Sequence, residues 1–249
     1  MDELSLLVDL HRKGLRQGPG GEAETRLALS LAGLDSSEPL NVVDIGCGTG
    51  ASTIQLAQTL NANIVAVDFL PEFLEELQEK AKREGVEGSI TTLNCSMDAL
   101  AFSQDQFDVI WSEGAVYNMG FEAGVAAWRP FLKTGGKLVV SEITWLTGDR
   151  PAELQSYWES EYPEIAPASA KIEVLERHGY SLEGFFVLPR SCWTENYYQP
   201  LAANFDAFLE RHDYSESAKK VVAMEMQEIA LYEQYSDFYG YGVYVARKL

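Results

Sequence analysis

Val42-Val43-Asp44-Ile45-Gly46-Cys47-Gly48-Thr49-Gly50 is an apolar run that ends in three glycines spaced two apart, and the reading of the whole chain turns on it. The apolar residues from Leu40 to Ile45 predict a buried strand, and a helix is predicted over Ser52 to Leu60. Between them, glycines let the backbone come close to a ligand while helix N–H groups point outward. The next apolar run, Ile64 to Val67, ends in Asp68, placed to accept hydrogen bonds from a ribose diol. Strand, glycine turn, helix, strand and acid together specify a site for an adenosine-type ligand.

Working outward, Pro71 to Glu84 reads as a second helix. Pro71 suits its first turn, Glu72, Glu75 and Glu76 its positive end, Lys80, Lys82 and Arg83 its negative end, and Gly85 follows. Strands are predicted near Ser89 to Leu93, Phe107 to Trp111 and Lys137 to Glu142, the last after the turn Thr134-Gly135-Gly136. Strands separated by helices require crossover connections, hence a mainly parallel sheet covered on both faces. Beyond residue 143 aromatic residues concentrate. Helices are predicted near Pro151 to Glu161, Ala168 to His178, Leu201 to Arg211 and Ser215 to Gln234, with strands at Tyr180 to Leu188 and Tyr241 to Arg247. The stretch between those strands is too long for a hairpin loop and should form a subdomain. Near the start, Leu4, Leu7, Val8 and Leu10 line one side of a short helix before Gly18-Pro19-Gly20-Gly21.

Composition narrows the partners. The 249 residues carry 38 Asp and Glu against 19 Lys and Arg, a formal net charge of −19, which argues against nucleic acid or an anionic membrane. Cys47, Cys95 and Cys192 are scattered and suggest neither a disulfide framework nor a zinc site. His11, His178 and His212 lack metal-ligand spacing, so no metal is expected. The N-terminus lacks the basic and apolar regions of a secretion signal, and no apolar run reaches the roughly 20 residues needed to cross a bilayer. A cytoplasmic location is expected.

Asp44 stands two residues before Gly46, and the spacing is G-x-G-x-G. A carboxylate there would repel a pyrophosphate and suits a cationic amino or sulfonium group. The pattern resembles motif I of the class I S-adenosylmethionine-dependent methyltransferases, matched by Asp44, Gly46, Gly48 and Gly50. Asp68 resembles the motif II acid, with Phe69 and Leu70 beside it. Ser96-Met97-Asp98 resembles motif III, and Phe107 to Glu113 resembles motif IV. Trp128 to Leu138 resembles the helix, turn and fifth strand that follow, with Thr134 in place of the usual proline. The likeness is to the small-molecule group that includes the ubiquinone/menaquinone-biosynthesis enzymes, and it does not extend well over the last 100 residues.

This resemblance implies a doubly wound, seven-stranded mixed α/β sheet, Rossmann-like, with an antiparallel last strand. It implies one methyltransferase domain over residues 1–249, with an N-terminal flap at 1–35 and helical lid insertions at 144–167 and 189–239. S-adenosylmethionine, converted to S-adenosylhomocysteine, is the expected cofactor, held by Gln17, Gly18, Asp44, Gly46, Cys47, Gly48, Asp68, Phe69, Met97, Asp98 and Glu113. The acceptor is expected to be a small, partly apolar molecule reached by Tyr117, Asn118, Trp145, Trp193 and Tyr197. Glu113 and Tyr117 are candidate bases, each equally explained by a packing role, so no catalytic residue is assigned. After the fourth strand, Ser112-Glu113-Gly114-Ala115 lacks the proline-rich motif used on base amines, against nucleic-acid methylation. A homodimer is compatible with the sequence. The alternatives are a nicotinamide-dependent oxidoreductase on the same sheet and a non-catalytic S-adenosylmethionine-binding sensor.

Overall fold

In the computed structural model, which describes residues 2–34 and 38–249, β1 (Leu40–Ile45) lies inside the sheet. It runs parallel to β2 (Ala62–Asp68) on one side and β4 (Phe107–Ser112) on the other. With β3 (Ile90–Asn94), β5 (Leu132–Trp145), β7 (Tyr180–Val187) and β8 (Tyr239–Lys248), the order is β3-β2-β1-β4-β5-β8-β7. A two-residue strand, β6 (Ala166–Pro167), pairs with the end of β5. As expected, β8 is antiparallel, pairing with β5 from Lys137 opposite Arg247 to Trp145 opposite Tyr239, and with β7 on its other edge. The chain steps from β1 to β2 and β3 in one direction and then returns to β4 and β5 in the other. The strand order therefore reverses between β1 and β4, where open α/β sheets bind ligands beyond their carboxyl ends.

Helices cover both faces, and successive strand residues alternate between them. Val42, Val109, Val139 and Val243 enter one core, with α1 (Glu3–Arg12), α2 (Glu22–Leu31), α6 (Ala152–Glu161) and the helices after β7. Val43, Ile110, Val140 and Tyr244 enter the other, with α5 (Phe121–Trp128) and α7 (Ala168–Arg177). Next to β2, Leu74 and Leu77 of α4 (Pro71–Glu84) pack on Ala66.

Three segments differ from expectation. The glycine turn before the fifth strand lies within β5, because Phe107 pairs with Leu132 while Val109 already pairs with Lys137; the extra residues bulge between two paired flanks. The helix α2 was not legible, its buried face reduced to Thr25, Ala28 and Leu29. The single helix expected at 201–211 is a relay: α8 (Arg190–Trp193), a π turn (Thr194–Tyr198), α9 (Gln199–Ala202) and α10 (Phe205–Arg211), before α11 (Glu216–Tyr235).

Gly50 precedes α3 (Ala51–Thr59) with φ 87°, a left-handed conformation that side chains resist. A Cβ there would also run into Leu77, which is fully buried. Gly135 has a similar φ, 81°, with open space around its Cβ position. Gly135→Ala is therefore expected to cost about 1–2 kcal/mol of backbone strain. Gly50→Ala should cost that plus about 1–3 kcal/mol of overpacking, read as the difference in urea unfolding free energies.

Asp44 is fully buried. Its Oδ2 accepts hydrogen bonds from Ser52 Oγ (3.0 Å) and Thr53 Oγ1 (2.6 Å) of α3, and Oδ1 has no partner. Burial pushes its carboxyl up to about 7; the Thr53 bond opposes this, and the charge of Glu113 adds to it. Between the ordinary carboxyl range near 4 and this value, the folded state holds a proton that the unfolded chain has lost. Stability from this group is thus full at acid pH and falls as pH rises toward 7. Asp44→Asn should remove that slope, so its unfolding free energy gains on the wild type from pH 5 to 7 and keeps a constant difference above. Parallel pH curves for the two proteins would contradict this.

Candidate functional site

The carboxyl ends of β1, β2 and β4 open into a cavity of about 1010 Å³, at the upper end of the roughly 300–1,000 Å³ usual for small-molecule sites. Its floor is the glycine turn. Gly46 has φ 75°, and a Cβ there would collide with Ala115, so the turn packs directly on the loop after β4. Asp68, at the end of β2, holds that turn: its Oδ2 accepts from the Gly48 amide (2.8 Å) and its Oδ1 from the Leu70 amide (2.9 Å). Burial nevertheless raises its carboxyl above the ordinary range, offset in part by these bonds. Phe69 stands 63% exposed on the cavity wall, and Met97 and Asp98 line it on the same side of the sheet order. Cys47 also lines it, and burial with the charges of Asp44 and Asp68 pushes its thiol far up, opposite to what a thiolate nucleophile needs.

Asp44 departs from its expected place. It is absent from the cavity wall, where Ser52 stands instead and turns its hydroxyl back to Asp44. Alternation along β1 decides this, because a residue two positions before the turn faces the helix packed on the sheet.

The segment after α1 closes one side. Glu113 accepts three hydrogen bonds, from Arg16 Nη1 (2.9 Å), Thr25 Oγ1 (3.0 Å) and Trp111 Nε1 (2.9 Å). Gln17 Oε1 accepts from the Thr49 amide (2.8 Å), while its Nε2 donates to the carbonyls of His11 and Gly14. Lys80 donates to Thr49 Oγ1 (2.6 Å) and to the Gly14 carbonyl (3.1 Å), and burial lowers its ammonium to about 8. Arg16, Gln17 and Gly18 thus reach the cavity while locked to the glycine turn and to β4. Three donors thus fix Glu113 in place, and through Arg16 and Thr25 it ties the N-terminal segment to the end of β4.

At the other end, Tyr117, Asn118 and Tyr197 line the cavity. Asn118 is fixed by its Nδ2 to the Ala115 carbonyl (3.0 Å), and burial raises the phenol of Tyr117. Trp145 and Trp193 do not reach the cavity. Trp193 is stacked on Tyr232 (ring centroids 4.3 Å apart, 13° between planes) in the core between the insertion and the sheet, and Trp145 carries the Arg150 guanidinium on its face at 4.1 Å. No residue of 144–167 forms the wall. Leu7, Val8 and His11 of α1 and Glu225 and Glu228 of α11 do. The two acids were not singled out from sequence, although a signal existed: they stand among Ala218, Val221, Val222 and Tyr232, which α11 turns inward, and an acid on an apolar stripe is out of place. Among the described residues no group of His, Cys, Asp and Glu is arranged to hold a metal, and no helix is long and apolar enough to cross a membrane.

Comparison with known proteins agrees with this geometry. Residues 42–136, from β1 to the bulge of β5, match a family described as "Methyltransferase domain". The methyltransferase GfsG of Streptomyces halstedii is 27% identical over 127 residues, 50% of this chain and 46% of that protein. A demethylmenaquinone methyltransferase of Bacteroides fragilis is 29% identical over 114 residues, 45% of this chain and 46% of its own. The match therefore spans about half the length of these relatives. Over the whole chain, a methyltransferase of Geobacter sulfurreducens solved with S-adenosylhomocysteine superposes with a TM-score of 0.85 at 17% identity, covering 98% of each. Residues 42–136 thus match a methyltransferase domain, and the chain as a whole shares the fold of a solved S-adenosylmethionine-dependent methyltransferase.

Proposed function

We propose that the protein transfers the methyl group of S-adenosylmethionine to a small, partly apolar molecule. The observation that carries the reading is Asp68, a carboxylate on the cavity wall that holds the Gly48 amide of the glycine turn. A carboxylate has about four acceptor positions, and Asp68 uses two on the backbone, which leaves others for a ribose diol. The residues fit the group in two further ways: the turn leaves no Cβ at Gly46, and Phe69 and Met97 supply apolar surface beside Asp98 for an adenine.

When bound, S-adenosylmethionine supplies a methyl group already activated on a sulfonium. The protein's part is then alignment and exclusion of water, which together contribute many kcal/mol. Asp68, Gly46, Gly48 and Met97 would hold the donor, which would supply its methyl to a lone pair of the acceptor and leave as the neutral thioether, any acceptor proton passing to solvent. Arg16, Gln17 and Gly18 close the cavity over the glycine turn, α1 and α11 wall its other end, and Tyr117 and Asn118 border the acceptor. The N-terminal segment and the 189–239 insertion act as lids on this reading, and the 144–167 segment backs them.

Asp68→Ala should weaken S-adenosylhomocysteine binding by more than about tenfold, the equivalent of losing one charge-assisted hydrogen bond, with an unchanged circular dichroism spectrum. Calorimetry tests this, and unchanged affinity would overturn the cofactor assignment. Incubation with labelled methyl donor and a metabolite pool tests transfer; binding without any labelled product favours a sensor. If Glu113 is an anchor, Glu113→Gln should raise KM for the methyl donor several-fold and leave the pH profile of kcat unchanged. Loss of a profile limb would make it the base.

A further inference from the structure

Within that reading, the end of the cavity away from the glycine turn has a chemistry of its own. Glu225 and Glu228 stand one helical turn apart on α11 and both line the cavity. Glu225 is 8% exposed; its Oε1 is hydrogen-bonded to His11 Nε2 at 3.0 Å, and its Oε2 is buried with no partner. Glu228 accepts a hydrogen bond from Tyr198 Oη at 3.0 Å and faces no lysine or arginine at ion-pair distance among the described residues. His11 is the one basic side chain in contact with the pair among the described residues, so two carboxyl groups share a single basic neighbour.

Tyrosines are concentrated near these carboxyl groups. Tyr117, Tyr157, Tyr197, Tyr198, Tyr239 and Tyr241 all lie within electrostatic reach of Glu228. Tyr197 stacks over His11 with centroids 6.2 Å apart, and Tyr117 and Tyr197 are on the cavity wall itself. Desolvation by the side chains around it and the charge of Glu225 push the Glu228 carboxyl upward. Carboxylate and tyrosine faces together attract organic cations, the first by charge and the second by the ring quadrupole. Glu228 is exposed on the cavity wall, and a neutral apolar acceptor seated against it would desolvate its carboxylate without supplying a counter-ion, at a cost.

We infer that the Glu225–Glu228 end of the cavity recognises an aliphatic ammonium group on the methyl acceptor, with Glu228 as counter-ion and Tyr117 and Tyr197 as its walls. This rests on the methyl-transfer reading, which places an acceptor there. The reacting atom is a separate matter, since an ammonium can orient a molecule whose methylated atom lies elsewhere.

The test uses the full chain saturated with S-adenosylhomocysteine and two probes of similar shape, choline and its uncharged analogue 3,3-dimethylbutan-1-ol. Calorimetry should show choline binding at least about tenfold more tightly than the neutral analogue, the effect of desolvated cation recognition. Glu228→Gln should reduce that preference to within about threefold while S-adenosylhomocysteine affinity stays at the wild-type value, which also shows that the variant folds. Equal or absent binding of both probes to the loaded wild type overturns the inference, as does a preference that survives in Glu228→Gln. Failure of S-adenosylhomocysteine to bind the wild type instead overturns the cofactor reading and this inference with it.

Discussion

The turn between β1 and α3 owes its shape to a carboxylate from the neighbouring strand. Asp68 reaches back from the end of β2 to the Gly48 amide at 2.8 Å, and this bond makes the end of one strand and the turn of the next a single surface. The turn cannot relax away from it. Gly46 is pressed against Ala115 on one side and Gly50 against Leu77 on the other, so the backbone follows a path only residues without a Cβ can take. The glycines therefore serve two ends, close packing of α4 and β4 around the turn and a bare backbone facing the cavity.

What closes over that surface depends on a few inner contacts rather than on many outer ones. The first helix, α1, is ringed by ion pairs: Arg12 with Glu75 and Glu76, Arg211 with Asp9, Lys220 with Glu3. Exposed pairs such as Lys220 with Glu3 contribute less than about 1 kcal/mol each and weaken with salt. The Arg16–Glu113 pair is different, with side chains 12% and 17% exposed and two further donors on the same carboxylate. Losing one member leaves the other charge partly buried without its partner, a larger loss than for the exposed pairs. Gln17 adds a second inner tie by capping the Thr49 amide at the entrance to α3. Any opening of the N-terminal segment must break these bonds together, and this favours an all-or-none movement.

The alternation of strand and helix from Leu40 to Glu142 was legible because each β-α unit carries its own local signals: apolar runs, a proline at the first turn of α4, and glycine after its last. The Asp68 position followed from the same logic, since a strand end fixes where its last side chain stands. Direction was less legible than position. Asp44 was assigned from its place in the glycine motif, and Trp145 and Trp193 from their residue type and segment, and neither ground says which face a side chain takes. Asp44 falls on the α3 face of β1, and the two tryptophans fall in the layer between the sheet and the insertion. The relay from Arg190 to Arg211 was illegible for a different reason. Its π turn at Thr194–Tyr198 shifts the helical phase and spoils the 3.6-residue period on which a sequence reading depends. Glu225 was legible in principle, because α11 keeps its period throughout and this one acid interrupts its buried stripe, with Glu228 one turn further on.

The acidity of the chain takes a spatial form that composition alone does not show. Asp68, Asp98, Glu113, Glu225 and Glu228 all line one cavity, against Arg16 and His11 as its bases, and each base is already paired with one of those acids. Inside walls of low dielectric such charges are screened less than on the surface and act over the whole enclosed volume. Two cationic groups brought into the same cavity, a sulfonium beside the glycine turn and an ammonium beside α11, would repel each other. On the proposed reading, the excess of carboxylates at both ends offsets that repulsion, so that the donor and an ammonium-bearing acceptor could share the cavity while another atom of the acceptor takes the methyl group. On this view the acids on the cavity wall set which ligands can share the site, and the remaining acids on the outside only keep the protein strongly anionic.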